Sequence, residues 1–128
     1  MAIQKELFQY VFDASSLINI ERQKKMIELR KRKGRILIPE KVAVEVNMPN
    51  SPLHNFIHKY PEIVTPFQET EADEYLRVRS QVGIDDGEAA AIAISSSRRL
   101  PLVIDDKKGK TKAENRGIKT LSWRDFLK

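Results

Sequence analysis

The sequence predicts an α/β sandwich built on a mainly parallel sheet, and three observations predict it. Short apolar, β-prone runs recur at Tyr10-Val11-Phe12, Arg35-Ile36-Leu37-Ile38 and Leu102-Val103-Ile104, with helix-forming stretches between them. Strands alternating with helices pair in parallel through crossover connections. The helix that follows Asp85 carries Ala89, Ala90, Ala91 and Ala93 beside Ile92 and Ile94, small and apolar enough to lie flat on a sheet. The chain of 128 residues has the length of one domain, ~100–150 residues, and reads as a single unit over 1–128.

Taken in order, Tyr10-Val11-Phe12 ends at Asp13, and Ser15 and Ser16 are candidate caps for a helix from near Leu17 to Lys33, with Gly34 as its stop. The apolar groups Leu17, Ile18, Ile20 and Met26, Ile27, Leu29 share a face poorly, which predicts a break near Glu21. After the second strand, Pro39 suits the first turn of a helix carrying Lys41 to Val46. Ser51-Pro52 starts another over residues 51–60, and Ile63-Val64-Thr65 reads as a weak strand. Thr70 caps a helix whose inward face is Ala72, Tyr75, Leu76 and Val82, closed by Gly83. Leu102-Val103-Ile104 ends in Asp105-Asp106. A basic helix from Lys107 to Arg116 stops at Gly117, Ile118 to Leu121 forms a last strand, and Trp123 to Leu127 a closing turn.

Composition removes whole classes of function. With 0 cysteines the chain has no disulfide, thiolate nucleophile or iron–sulfur cluster of its own. Hydrophobic residues at 41% and charged residues at 32% fit a globular protein and not a disordered one. The longest apolar stretch, Ala89 to Ile94, falls far below the ~20 residues that span a bilayer. Residues 1–6 show no basic segment leading into an apolar one, so a cytoplasmic address is expected, with no membrane partner. Lys plus Arg number 23 against 18 Asp plus Glu, a net charge of +5 that favours polyanionic partners.

Chemistry is expected where strands end, because open parallel sheets bind ligands beyond their carboxyl ends. Acidic residues stand at four such stations: Asp13; Glu45 on the helix after the second strand; Asp86 and Glu88 opening the alanine-rich helix; and Asp105 with Asp106. Converging carboxylates repel one another unless a cation lies between them. Oxygen ligands alone suit a hard ion such as Mg2+ or Mn2+, which can stabilise charge on a phosphate and activate water. An acidic metal pocket in a basic protein points to hydrolysis of a phosphodiester, with lysines and arginines holding the rest of the polyanion.

At Val11-Phe12-Asp13-Ala14-Ser15-Ser16, Ile38-Pro39 through Glu45, Asp86-Gly87-Glu88-Ala89-Ala90-Ala91, and Leu102-Val103-Ile104-Asp105-Asp106, the chain resembles the PIN-domain family in motif order from about Phe12 to Leu121. The resemblance implies a PIN-like three-layer α/β/α sandwich and a Mg2+- or Mn2+-dependent ribonuclease. It implies in-line attack by water, leaving 5′-phosphate and 3′-hydroxyl ends. Carried over residue by residue, it makes Asp13, Glu45, Glu88 and Asp106 the catalytic set, with Asp86 and Asp105 as further candidate metal ligands and Ser15 as a supporting hydroxyl. Ile104 departs from the threonine frequent at the fourth station. Many small PIN proteins are VapC-like toxins with an antitoxin partner, often dimeric, so an antitoxin and a homodimer are expected partners.

Plainer readings stand beside these. Asp85-x-x-Glu88 has the spacing of a capping box, in which Glu88 would accept from the Asp85 backbone N–H. Arg30, Lys31 and Arg32, in a basic run from Arg22 to Arg35, are RNA contacts or a solvated helix face. Lys107, Lys108 and Lys110 follow the fourth station directly and favour RNA. His54 and His58 share a helix face without a third ligand and read as solvated. Tyr75, Leu76 and Trp123 read as core. The alternative to a nuclease is a PIN-fold module, catalytically weak or inactive, that binds RNA or protein.

Overall fold

The computed structural model describes residues 8–128; the reading of residues 1–6 as free of a leader lies outside the described residues. Five strands are joined by helices throughout: β1 Tyr10–Phe12, α1 Ala14–Arg22, α2 Met26–Arg30, β2 Ile36–Pro39, α3 Glu40–Glu45, α4 Pro52–Lys59 and β3 Val64–Thr65. The second half holds α5 Glu71–Arg79, α6 Asp86–Arg98, β4 Leu102–Val103, α7 Lys107–Asn115, β5 Thr120–Leu121 and α8 Trp123–Phe126. The sheet order is β3-β2-β1-β4-β5, and every pairing is parallel.

Strand alternation sends neighbouring residues to opposite faces, and both faces are covered. Phe12, Ile36, Ile38 and Val103 pack with Leu17, Ile20, Leu29, Leu53, Phe56, Trp123 and Phe126 on one side. Val11, Leu37, Leu102 and Ile104 pack with Val78, Ala89, Ile92 and Ile94 on the other. This is the three-layer sandwich the sequence predicts. Among the described residues no helix is long and apolar enough to cross a membrane.

The chain leaves β1 for β2 in one direction and reaches β4 in the other, so the switch point lies between β1 and β4. Val11 is in register with Leu102 and Phe12 with Val103, and the Asp13 N–H donates to the Val103 carbonyl at 3.1 Å. Asp13 and the residues after β4 therefore leave the sheet side by side.

Several local expectations are corrected. The first helical run breaks close to where its apolar spacing predicts, at Gln23–Lys25, where Lys24 takes φ 58°, so the single helix to Lys33 is not formed. The reversal lets Leu29 join Leu17 and Ile20 in one core. Gly34 sits inside a 3-10 turn, Lys33–Arg35, and not at a helix stop. Helix α5 ends at Arg79, and Gly83, at φ 84°, turns the loop beyond it. Of its expected inward face only Tyr75 is even half-buried: Ala72 is exposed, Leu76 62% exposed and Val82 96%. Val78 is buried instead, and so is Glu71, the first residue of the helix.

Glu71 is buried because Arg98, at the end of α6, meets it with two hydrogen bonds, Nε to Oε2 and Nη2 to Oε1, both 2.9 Å. Arg98 also donates to Thr65 Oγ1 and to the Pro66 carbonyl, and Glu71 Oε1 accepts the Gln68 N–H at 2.7 Å. One ion pair thus fixes the loop from Thr65 to Glu71. Burial disfavours the Glu71 charge, but the Arg98 and Gln68 hydrogen bonds outweigh it and hold the carboxyl below its ordinary range.

Candidate functional site

Each acidic station is set by a local backbone device. Asp13 stands at the N-cap of α1 in extended conformation, with no capping bond from its side chain. The expected cap, Ser15, turns back instead: its hydroxyl donates to Asp13 Oδ2 at 2.9 Å and accepts the Asp105 N–H at 3.3 Å. One hydroxyl therefore ties the first station to the fourth, the supporting place expected of Ser15. Ser16 faces the core, its hydroxyl without a partner. Asp13 is itself buried; desolvation raises its pKa, and the Asp85 charge adds to the rise.

Glu45 lies at the rim of α3 with its carboxyl tucked against the start of α6, where Oε1 accepts the Gly87 N–H at 2.7 Å. Burial raises its pKa first and the Asp85 charge second, with Asp13 and Asp86 contributing. Gly87 lets the Glu45 carboxyl lie this close, and any side chain there would push it aside. A Cβ on it would stand 2.6 Å from the Glu45 carboxyl carbon.

Glu88 decides between the cap and the site. Asp85 Oδ1 does accept the Glu88 N–H at 2.8 Å, but the return bond of a capping box is not made. The Glu88 side chain turns inward, 7% exposed, and Oε1 is buried with no hydrogen-bond partner. Burial, then repulsion from Asp13, Asp85 and Asp106, pushes its pKa up to about 7. Gly109 leaves the room for it. A Cβ there would meet Glu88 Oε1 at 2.6 Å and Ile104 Cδ1 at 2.7 Å.

Alanine gains helix propensity over glycine worth ~0.5–1 kcal/mol, yet both contacts at Gly109 are too short to keep. Gly109→Ala is therefore expected to destabilise the protein by about 1–3 kcal/mol, the cost of overpacking, measured by urea unfolding. An unchanged midpoint would mean that Glu88 does not lie against α7.

The remaining stations divide. Asp106 caps α7, with Oδ2 accepting the Gly109 N–H at 2.8 Å, and its charge reaches Glu88. Asp105 is committed to structure: Asn19 Nδ2 donates to Oδ2 at 2.8 Å and the Trp123 N–H to Oδ1 at 3.2 Å, docking α8. Asp86 turns outward to Arg79 Nε and to the Tyr75 hydroxyl at 3.1 Å, and the Arg79 hydrogen bond holds its carboxyl low. Asp85, read in the sequence only as a cap, is the group sequence reasoning missed. Its charge acts on Asp13, Glu45 and Glu88 alike. The only sequence signal for it was the run Asp85-Asp86-Gly87-Glu88 itself.

Asp13, Glu45, Asp85, Glu88 and Asp106 thus crowd one end of the sheet. Among the described residues no three of the acidic or histidine side chains are drawn together as a finished cage. The group still fits a hard divalent ion in kind. Its donors are all oxygens, one buried carboxylate oxygen is orphaned, and two glycines keep space open around the carboxyl groups.

The basic candidates also divide. Lys107, Lys108 and Lys110 are exposed on the first turn of α7, directly after Asp106. Arg30 and Lys31 are exposed on the far side of α1 and α2. Arg32 is not free: its guanidinium donates to the Glu28 carbonyl at 2.8 Å and the Leu127 carbonyl at 2.7 Å, clamping the end of the chain to α2.

Fold and site together define a parallel α/β protein with an acidic, oxygen-lined centre at the switch point of its sheet. A family model described as a PIN domain matches residues 9–122, and the chain belongs to the PIN-domain family. Members of that family are generally metal-dependent nucleases. Among solved structures the fold is similar to the crystal structure of PAE2754 from Pyrobaculum aerophilum, with a TM-score of 0.68, 18% identity and 94% of each chain covered. A search of curated proteins finds no match.

Proposed function

We propose that the protein is a divalent-metal-dependent endoribonuclease that hydrolyses phosphodiester bonds in single-stranded RNA. The observation that carries this reading is Glu88, a carboxyl group with an orphaned oxygen, raised first by burial and then by three neighbouring carboxylates against a partial offset from Lys112, at the carboxyl end of the sheet. A bound divalent cation would relieve this repulsion more fully than the Lys112 charge or a proton on Glu88. Asp13, Glu45, Glu88 and Asp106 would hold Mg2+ or Mn2+, joined by Asp85. When bound, the ion supplies charge neutralisation at the phosphate and lowers the pKa of water. The Ser15 hydroxyl offsets part of the burial penalty on the Asp13 charge and aims the carboxyl, and the Gly87 N–H holds Glu45. Lys107, Lys108 and Lys110 border the site with positive charge for the flanking phosphates.

The expected result is cleavage of single-stranded RNA with Mg2+ or Mn2+ that stops in EDTA and falls at least about a hundred-fold in Asp13→Asn, the scale of removing one group that stabilises transition-state charge. Cleavage that survives either control would overturn the reading. No saturable thermal stabilisation by Mn2+ would favour the binding-module alternative, since an ion bound by the native state must raise stability.

The biological setting proposed is a VapC-like toxin held by an antitoxin and working as a homodimer. Its support is the resemblance, together with Val44 and Met48, which are 75% and 68% exposed on and beside α3 and offer an apolar surface to a partner. Growth arrest on expression, relieved by a co-expressed neighbouring gene product, tests it.

A further inference from the structure

Beside the acidic centre lies a smaller cavity of about 340 Å³ with a mostly apolar wall, built from α3, the loop after β3 and α6. Its volume falls at the lower end of small-ligand sites, ~300–1,000 Å³. Phe67, Val44 and Ala90 provide the apolar surface, and Glu40 and Lys41 the charged groups. The Thr65 hydroxyl in the same wall is already spent on Pro66 and Arg98. Phe67 packs on Tyr75 with ring centroids 5.1 Å apart, and Lys41 Nζ stands 4.9 Å from the Tyr75 centroid.

The cavity and the acidic centre share their scaffold. Lys41 and Glu45 are i and i+4 on α3, neighbours on one face. Ala90 lies one turn of α6 beyond Gly87, whose N–H holds Glu45. The Tyr75 hydroxyl donates to Asp86. The wall carrying Phe67 does not drift, because the buried Glu71–Arg98 pair pins the loop on both sides of it. A largely apolar cavity with one acid and one base in its lining, a helical turn from the acidic centre, matches the chemistry of a nucleobase. Single-stranded RNA is read this way, by stacking on aromatic rings and hydrogen bonds along the base edge.

We infer that this cavity is a base-binding subsite for a guanine beside the scissile phosphate, with Phe67 stacking on the ring, Glu40 accepting from N1–H and N2–H, and Lys41 donating to O6. Guanine alone among the four bases presents two adjacent donors to a carboxylate and an acceptor to an ammonium on one edge. The inference rests on the nuclease reading for its purpose, but its test does not require turnover.

The experiment is fluorescence anisotropy in EDTA with labelled uridine tracts that carry one central guanine, adenine or cytosine, and with the plain tract. The guanine tract is expected to bind roughly ten-fold tighter than the others, the scale of one stacked and hydrogen-bonded base. Phe67→Ala should bring all four together. Glu40→Gln, at an exposed residue whose change leaves the fold intact, should remove the preference for guanine over adenine. Equal affinities in the wild type, a preference for another base, or a guanine preference untouched by both variants would refute the subsite. A guanine preference in a protein that cleaves no RNA would uphold the subsite and sink the nuclease reading; cleavage without any guanine preference would do the reverse.

Discussion

Arg98→Ala is expected to lower stability by about 3–5 kcal/mol, because it leaves Glu71 charged, buried and unpaired. For a domain of this size that is a fall in Tm of roughly 10–20 °C. The side chains are 15% and 2% exposed, so solvent screens the pair little. Replacing both partners, as in Glu71→Met with Arg98→Met, should cost much less than either alone, since no lone charge remains. The pH dependence follows from the lowered carboxyl of Glu71. Its stabilising share is present above the ordinary carboxylate pKa and disappears as pH falls through the lower folded value. Differential scanning calorimetry of the single and double variants checks this, and a single variant as stable as the wild type would show the pair to be idle.

The second large effect has the opposite sign. Glu88 has its carboxyl raised from 4.5 to about 7 by burial and by Asp13, Asp85 and Asp106. The folded state therefore binds a proton there more tightly than the unfolded chain, and the charged form carries a penalty above the folded pKa. In EDTA, stability should rise as pH is lowered from about 8 toward 4.5, by on the order of 2–3 kcal/mol. Glu88→Gln should flatten much of that profile, leaving the share of Asp13 and Glu45, and gain a similar amount at pH 8, where the wild-type carboxylate is mostly charged. A divalent ion should do for the wild type what the substitution does, and its binding near neutrality should release a proton. A wild-type melting temperature indifferent to pH over this window would show that the carboxylates do not crowd.

The strands were readable because central parallel strands are buried on both faces and spell continuous apolar runs, as in Ile36-Leu37-Ile38 and Leu102-Val103-Ile104. Their acidic ends followed from the fold. What stayed hidden was tertiary. Helix α5 reads as amphipathic through Ala72, Leu76 and Val82, yet α6 packs against its other side, where Val78 and the Glu71–Arg98 pair lie. No local pattern announces a buried carboxylate whose partner is 27 residues away. Arg32 looked like one more cation in a basic run, and only the arrival of Leu127 shows why it is held. Asp85 was masked by its role as a helix cap, which it keeps while its charge serves the cluster. Asp86 and Asp105 had the right residue type beside the right partner, and hydrogen bonds to Arg79 and Asn19 draw each of them elsewhere.

Among the described residues the central strand β1 is made before the others, and β4 follows only much later, with 90 residues separating Ser15 from the Asp105 it meets. Contacts so distant in sequence close late, after the cost of a long loop has been met. During synthesis, then, a nascent chain still attached to the ribosome and its messenger lacks the last carboxylate and the hydroxyl bridge that aims the first. On the proposed nuclease reading, the acidic centre stays unassembled until the residues after β4 have been made.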